Sequence, residues 1–247
     1  MTRTARTVIV TGGASGIGAE IVEQFIAAGD DVVIADRDLR AAQKRAADHR
    51  TAVARRVDVT VPEEIDALID GVVQDSGGLD VLVNCAGAAH APLSAPDMGV
   101  AAFDAEFALN LRAAYLASRR AVEVMGEGSV IVNIASMGGR RPRPLTAAYN
   151  AAKGGTIAFV RELARVASPR VRVYAVNPTG VETPFLLKAL GPEGLTDEHR
   201  ARVVAGIPMA RLATPADVAN VVRYLADSHC GVRSGEFIDV DGGRSIQ

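Results

Sequence analysis

Apolar positions fall in short dense runs that alternate with longer stretches where they recur every three or four residues. Thr7–Thr11 (TVIVT) is a β-branched run that stops at Gly12-Gly13. The next stretch puts Ile17, Ile21, Val22, Phe25 and Ile26 on one helical face, with Gly29 as its stop. Asp31–Asp36 (DVVIAD) predicts a second strand, Leu39–Asp48 a short charged helix and Thr51–Val57 a third strand. Pro62 opens a helix carrying Ile65, Leu68, Ile69 and Val72 at helical spacing. Leu79–Asn84 predicts a fourth strand, about Met98 to Met125 one long helix, and Ser129–Ile134 a fifth strand. Thr146–Val166 predicts a helix, Val171–Asn177 a sixth strand, Pro215–Ala226 a helix and Phe237–Val240 a last strand.

Strands followed by helices, unit after unit, indicate an α/β chain with a mostly parallel sheet and helices on both faces. The strand runs are continuous rather than alternating, as expected when both faces are covered. No low-complexity linker or composition break interrupts the chain, so residues 1–247 read as one domain. The irregular stretch is Pro178–Pro208, rich in Pro and Gly around a small apolar helix candidate, Phe185–Leu190. A weakly patterned stretch of that length points to a substrate lid, here around 180–208, or to a surface insertion.

Composition narrows the classes without naming one. Hydrophobic residues make up 49% and charged residues 23%, which excludes a disordered chain. The 27 Lys+Arg against 29 Asp+Glu give a formal net charge of −2, so no general attraction to nucleic acid or anionic lipid arises. No apolar run approaches the ~18 residues of a membrane span. The apolar core of the N-terminal segment, Val8–Val10, is too short for a secretory signal. Cys85 and Cys230 make no disulfide framework, and the histidines show no metal spacing, so no metal is expected. A cytoplasmic location is the expectation. Among the basic residues only Lys44, Lys153 and Lys188 are lysines.

Candidate chemistry begins between the first strand and the first helix, at TGGASGIG (Thr11–Gly18). Glycines at 12, 16 and 18 allow a tight turn and close approach to a pyrophosphate, which meets the free N–H groups of a helix N-terminus. Asp36 ends the second strand twenty residues beyond Gly16, where a carboxylate meets adenosine ribose hydroxyls. The same carboxylate repels a 2′-phosphate and so favours NAD over NADP. Arg37 beside it acts in the opposite sense, but the loop itself holds no Arg or Lys.

Further motifs follow in order: Asp58-Val59 after the third strand, NCAG at Asn84–Gly87, Asn110 in the long helix, and Ser136 after the fifth strand. YNAAK at Tyr149–Lys153, NPTGVETP at Asn177–Pro184 and VDGG at Val240–Gly243 complete the set. In this order and spacing the chain resembles the short-chain dehydrogenase/reductase family over essentially its whole length. The resemblance implies a Rossmann-type, doubly wound sheet of about seven strands, a nicotinamide cofactor and alcohol/carbonyl redox chemistry. It implies cofactor contacts from Gly12, Ser15, Gly16, Ile17, Gly18, Asp36, Arg37, Asp58, Val59, Asn84, Ala86 and Gly87. Tyr149, Lys153, Pro178, Val181 and Thr183 join them on the same ground. One departure stands out: the family often has Pro-Gly where this chain has Pro178-Thr179.

Tyr149 and Lys153 are four apart on a predicted helix and share one face. A phenol is too weak a base near neutral pH, and an adjacent ammonium is expected to lower its pKa. The resemblance implies that Tyr149 exchanges the proton and Lys153 holds the ribose. It implies further that Ser136 bonds the substrate oxygen and that Asn110 holds a water joining Lys153 to solvent. Taken singly, each of these four has an ordinary structural reading; their order is what is specific.

Three features bear on substrate and partners. Arg140, Arg141 and Arg143, between Ser136 and Tyr149, suit a carboxylate or phosphate on the substrate or an acyl-carrier partner, or simply solvent or a subunit contact. His90 and Phe185 are candidate substrate contacts. Ala113, Ala114, Ala117, Ala151 and Ala152 are read as outward-facing small residues that let helices of neighbouring subunits approach. With the resemblance, they make a homotetramer, or a homodimer, the expectation. The leading reading is an NAD-dependent secondary-alcohol dehydrogenase or ketone reductase. A 3-oxoacyl thioester reductase and a non-catalytic dinucleotide sensor are the alternatives.

Overall fold

A computed structural model of the chain describes residues 5–90, 92–183, 186, 196–231 and 233–246. Among these, seven strands form one parallel sheet in the order β3-β2-β1-β4-β5-β6-β7. They are β1 (Thr7–Thr11), β2 (Asp31–Asp36), β3 (Ala52–Arg56), β4 (Val81–Asn84), β5 (Ser129–Ile134), β6 (Val171–Pro178) and β7 (Phe237–Val240). The helices are α1 (Gly16–Ala27), α2 (Leu39–Ala46), α3 (Pro62–Ser76), α4 (Val100–Phe107), α5 (Ala113–Val124), α6 (Ala147–Ala167), α7 (Asp197–Ala205) and α8 (Pro215–Leu225). No helix among the described residues is long and apolar enough to cross a membrane.

Side chains alternate between the two faces of a strand, and this sorts the core into two layers. Val8 and Val10 join Ile34, Val83 and Val132 against Ile21, Val22 and Phe25 of α1 and Val218, Val222 and Leu225 of α8. Ile9, Leu82, Ile131 and Val173 pack the other way, against Ile65 and Ile69 of α3, Ala117 and Ala121 of α5, and Val160 and Ala164 of α6. Each fully buried branched or aromatic side chain contributes about 1.5–3 kcal/mol over exposure. Burial on both faces therefore explains why the inner strands are apolar without alternation.

The edges depart from that expectation. β3 is half exposed in an alternating pattern and β7 is half-buried throughout, because each has a neighbour on one side only. The long helix expected over Met98–Met125 is broken into α4 and α5 by a π-helical turn, Ala108–Arg112. The expected small-residue surface is also corrected. Ala113, Ala117 and Ala152 are buried inside the subunit and Ala114 is half-buried, which leaves Ala151 exposed.

The segment read as irregular contains α7, whose Val203 and Val204 pack on a small separate cluster of Leu186, Ile207 and Leu212. Phe185 and the remainder of the Phe185–Leu190 candidate, apart from Leu186, lie outside the described residues.

The strand order reverses between β1 and β4. In parallel sheets, ligands bind in the crevice outside the strand ends at such a switch point. Thr11 is level with Asn84, and Asn84 with Asn133, so the turns that follow β1, β4 and β5 open at one edge.

Candidate active site

That edge is a cavity of ≈ 480 Å³. Its floor at one end is the turn after β1. Gly12 has φ +67 and Gly16 φ +56, both in the left-handed region that suits glycine. A Cβ on Gly12 would lie 2.8 Å from the Ala86 backbone, and one on Gly18 would collide with the Gly12 carbonyl oxygen. The turn thus presses against the NCAG segment, and the Thr11 hydroxyl fastens the two by accepting from the N–H groups of Cys85 (3.1 Å) and Ala86 (3.2 Å). Ser15 caps α1 without a side-chain bond, and the first turn holds no acid. The first N–H groups and the positive dipole end of α1 therefore face the cavity uncompensated.

Asp36 closes the far side. Its carboxylate accepts from the Ala14 N–H at 3.1 Å and from the Asp38 N–H at 3.0 Å. Arg37, Asp58 and Val59 line the same part of the cavity. The Asp58 carboxylate accepts from the Thr60 N–H and hydroxyl, and these bonds lower its pKa. Pro178, Val181 and Thr183 cover the opening, with the Thr183 methyl 3.5 Å from where a Gly16 Cβ would stand.

At the other end the wall is made of side chains. α6 comes so close to the turn after β5 that a Cβ on Gly139 would meet the Gly154 nitrogen at 2.7 Å. A Cβ on Gly155 would likewise meet Leu111 at 2.9 Å. These two contacts dock Tyr149 and Lys153 between Ser136 and the π-helical turn that carries Asn110. Ser136 hydrogen-bonds the Tyr149 side chain. Lys153 donates to the Ile134 carbonyl at 2.8 Å, and its Nζ lies 5.8 Å from the Tyr149 ring centre. Gly87 sits against both Asn110 Oδ1 and Lys153 Nζ, where a Cβ would lie 2.9 and 3.4 Å away.

Burial dominates the protonation of this wall. It pushes the Tyr149 phenol up to about 12, against the Ser136 hydrogen bond and the charge of Arg143. It brings Lys153 down to about 8 and raises the Cys85 thiol to about 12. The expectation that Lys153 depresses the tyrosine is thus not met by the chain alone. Both groups are desolvated, and desolvation favours the neutral form of each.

Sequence reasoning missed Glu106. This buried acid accepts from the His90 N–H at 2.8 Å and from Asn110 Nδ2 at 3.0 Å, and burial raises its pKa. Its signal was available, since it precedes Asn110 by one helical turn. Asn150 was missed too; its amide donates to the Arg143 carbonyl at 2.8 Å. Two expected contacts do not line the cavity. Asn84 is buried beneath it, donating to Ser118 Oγ and Asn133 Oδ1, both at 2.9 Å. His90, whose backbone N–H donates to Glu106, is not among the lining residues, and Phe185 lies outside the described residues. No metal-binding group of acids, histidines or cysteines occurs among the described residues.

The sheet order, the switch-point crevice and the glycine turn together define a Rossmann-type dinucleotide-binding fold. A family model described as enoyl-(acyl carrier protein) reductase matches residues 12–245. The chain is 35% identical over 246 residues to 4-formylbenzenesulfonate dehydrogenase of Comamonas testosteroni, covering 96% of this chain and 97% of that one. It is 35% identical to cis-4-hydroxycyclohexanecarboxylate dehydrogenase of Sinomonas cyclohexanicum, covering 96% of each. The crystal structure of a 3-ketoacyl-(acyl-carrier-protein) reductase from Brucella melitensis complexed with NADH superposes with a TM-score of 0.89 at 34% identity, covering 98% of each chain. The chain belongs to the short-chain dehydrogenase/reductase family of oxidoreductases.

Proposed function

We propose that the protein is an NAD-dependent dehydrogenase or reductase that interconverts a secondary alcohol and a ketone. The observation that carries this reading is the meeting of Ser136, Tyr149 and Lys153 on one wall of a cavity whose opposite end is the glycine turn. The cofactor class fits the chain. Gly12 and Gly18 leave room for the turn to fold tightly onto Ala86 and onto itself, and the open N-terminus of α1 suits a diphosphate. Gly12, Ser15, Gly16, Ile17 and Gly18 would hold the diphosphate, Asp36 the adenosine ribose and Lys153 the second ribose. Asp58, Val59, Ala86, Gly87, Pro178, Val181 and Thr183 would complete the contacts. A bound nicotinamide dinucleotide supplies the hydride acceptor or donor.

The chain's own residues handle the proton. Tyr149 takes it from the alcohol in oxidation and returns it to the alkoxide in reduction. Ser136 donates to the same oxygen and steadies the charge that develops there. Lys153, an ammonium at neutral pH even with its lowered pKa, is the positive charge beside the phenol. Asn110, fixed by Ala88 and Glu106, orders the route by which the proton reaches solvent. The segment 180–208 acts as a lid over the substrate, with Leu186 anchored in the small cluster beneath α7. Exposed Phe103 and Tyr115 on α4 and α5 support assembly of several copies, expected as a homotetramer and read by light scattering.

The test is NADH formation, with NAD and NADP compared, across alcohols, hydroxy acids and 3-hydroxyacyl thioesters. Turnover that prefers NADP or thioesters favours the 3-oxoacyl reductase reading. Tight NADH binding without turnover of any substrate favours a sensor.

A further inference from the structure

Many arginines among the described residues close on carboxylates. Arg6 and Arg223 share Asp30, Arg45 holds Glu23 and Arg211 holds Asp217. The three arginines after Ser136 divide differently. Arg140 pairs with Asp239 and lies over the Phe237 ring at 4.6 Å. Arg141 reaches the Arg244 carbonyl at 3.4 Å. Both are accounted for by the fold.

Arg143 is not. It lines the cavity together with Ser136 and Tyr149, and Asn150 fixes its backbone from within α6. Its guanidinium touches Thr179 Oγ1 at 3.5 Å, the outer limit of a hydrogen bond. No carboxylate among the described residues pairs with it. The charge that does act on it is a like charge, Arg244. Arg143 is exposed as a whole residue, yet partial desolvation within the cavity and the charge of Arg244 both lower its pKa. Arg244 adds a second unmet demand, because its Nη1 is buried with no hydrogen-bond partner among the described residues. A cavity-lining guanidinium without a carboxylate partner, repelled by a second guanidinium, is favoured by an anion that joins it. Thr179 belongs to the same group. It supplies a hydroxyl at the tip of Arg143.

We infer that Arg143 and Thr179 form an oxyanion subsite, with the charge of Arg244 behind them, so that the substrate is a small acid bearing its alcohol or ketone close to a carboxylate or sulfonate. The short reach decides the class. Arg143 lines the same cavity as Tyr149, and its carbonyl is held by Asn150, the residue after Tyr149, so the anion lies close to the reacting carbon. The phosphate of a carrier-bound thioester is many bonds from its carbonyl and cannot occupy both places. The inference rests on the dehydrogenase reading of the same cavity.

Two measurements separate the inference from that reading. The first titrates the NADH-loaded protein with cyclohexanecarboxylate and with its carboxamide, neither of which can react. The acid is expected to bind at least tenfold more tightly, on the order of one charge-assisted bidentate contact. Arg143→Met should remove the difference and Arg143→Lys restore part of it. The second compares kcat/KM for hydroxy acids and their amides, and the acid-to-amide ratio should fall about tenfold or more in Arg143→Met. Equal binding of acid and amide, or a preference that survives Arg143→Met, overturns the inference. So does a preference for a coenzyme A thioester over the free acid. Arg143-dependent acid binding without turnover of any alcohol leaves the subsite standing and removes the dehydrogenase reading. Turnover of neutral alcohols with no acid preference does the reverse.

Discussion

The two ends of the cavity are built from different materials. At the glycine turn the lining is largely main chain: Gly12, Gly16, Gly18, the first N–H groups of α1, and one carboxylate, Asp36. At the Tyr149 end it is side chain, with Ser136, Tyr149, Lys153, Asn110 and Arg143 drawn from four separate segments. The first end is therefore defined mainly by space. The second is defined by charge and burial, and its behaviour changes with protonation. One end rejects added atoms; the other rejects lost functional groups.

Substitutions can break this contrast, and the largest effect is expected at the side-chain end. Tyr149→Phe removes one oxygen and should lower kcat by roughly a thousandfold or more, in the range of lost proton transfer. NADH affinity, read by fluorescence titration, should change little, and near-normal turnover would dismantle the assignment. Next is Gly18→Val, which adds atoms at the main-chain end. The collision with Gly12 should weaken NADH binding by about a hundredfold, the upper range for overpacking. A variant that binds NADH normally would show that the turn is not the cradle.

Asp36→Ala is smaller. It should shift the ratio of kcat/KM for NAD over NADP by about tenfold toward NADP, the scale of one lost charge contact. A wild type that already prefers NADPH contradicts the role of Asp36.

The smallest effect concerns stability and pH. The folded-state pKa of Lys153 is held at about 8, below its ordinary 10.5. The unfolded chain therefore binds the proton more readily between those values. The buried ammonium costs stability at neutral pH, on the order of 3 kcal/mol before relaxation. That cost is relieved as pH rises from about 8 toward 10.5. Lys153→Met should accordingly unfold at a higher temperature than the wild type at pH 7 in the absence of cofactor, with the gap closing above pH 10. A constant gap across this range would show that the lysine is not desolvated.

The same contrast explains what could be read along the chain. The inner strands and the glycine turn were legible because each is a contiguous signal: β-branched runs, glycines at fixed spacing, an acid at a strand end. α7 was not, because its apolar residues are the adjacent pair Val203 and Val204 rather than a helical repeat. The π-helical turn was not, because a period of 3.6 assumes an unbroken ladder. At the site, Tyr149, Lys153, Ser136 and Asn110 were found through motif order and do meet at one wall of the fold. Glu106 was overlooked because an acid on a helix is usually solvated. Arg244 was overlooked because only the folded chain brings it to Arg143. The Asn84 side chain lies beneath the lining for a physical reason: a motif residue at a strand end can face the crevice or the layer beneath it. Here Ser118 and Asn133 draw it beneath.

The π-helical turn has one more consequence. Five residues, Ala108–Arg112, wind more widely than the turns on either side, as if one residue had been slipped into a continuous helix. Thr156 of α6 donates to the Asn110 carbonyl at 3.2 Å, so the widened coil is latched from outside. Removing a single residue from this turn would restore an ordinary helix and rotate everything before it by about a third of a circle. Glu106 would then leave its place beside Asn110, while α5 kept its packing. The widened turn thus sets the rotational phase between α4 and α5, and with it the meeting of Glu106 and Asn110.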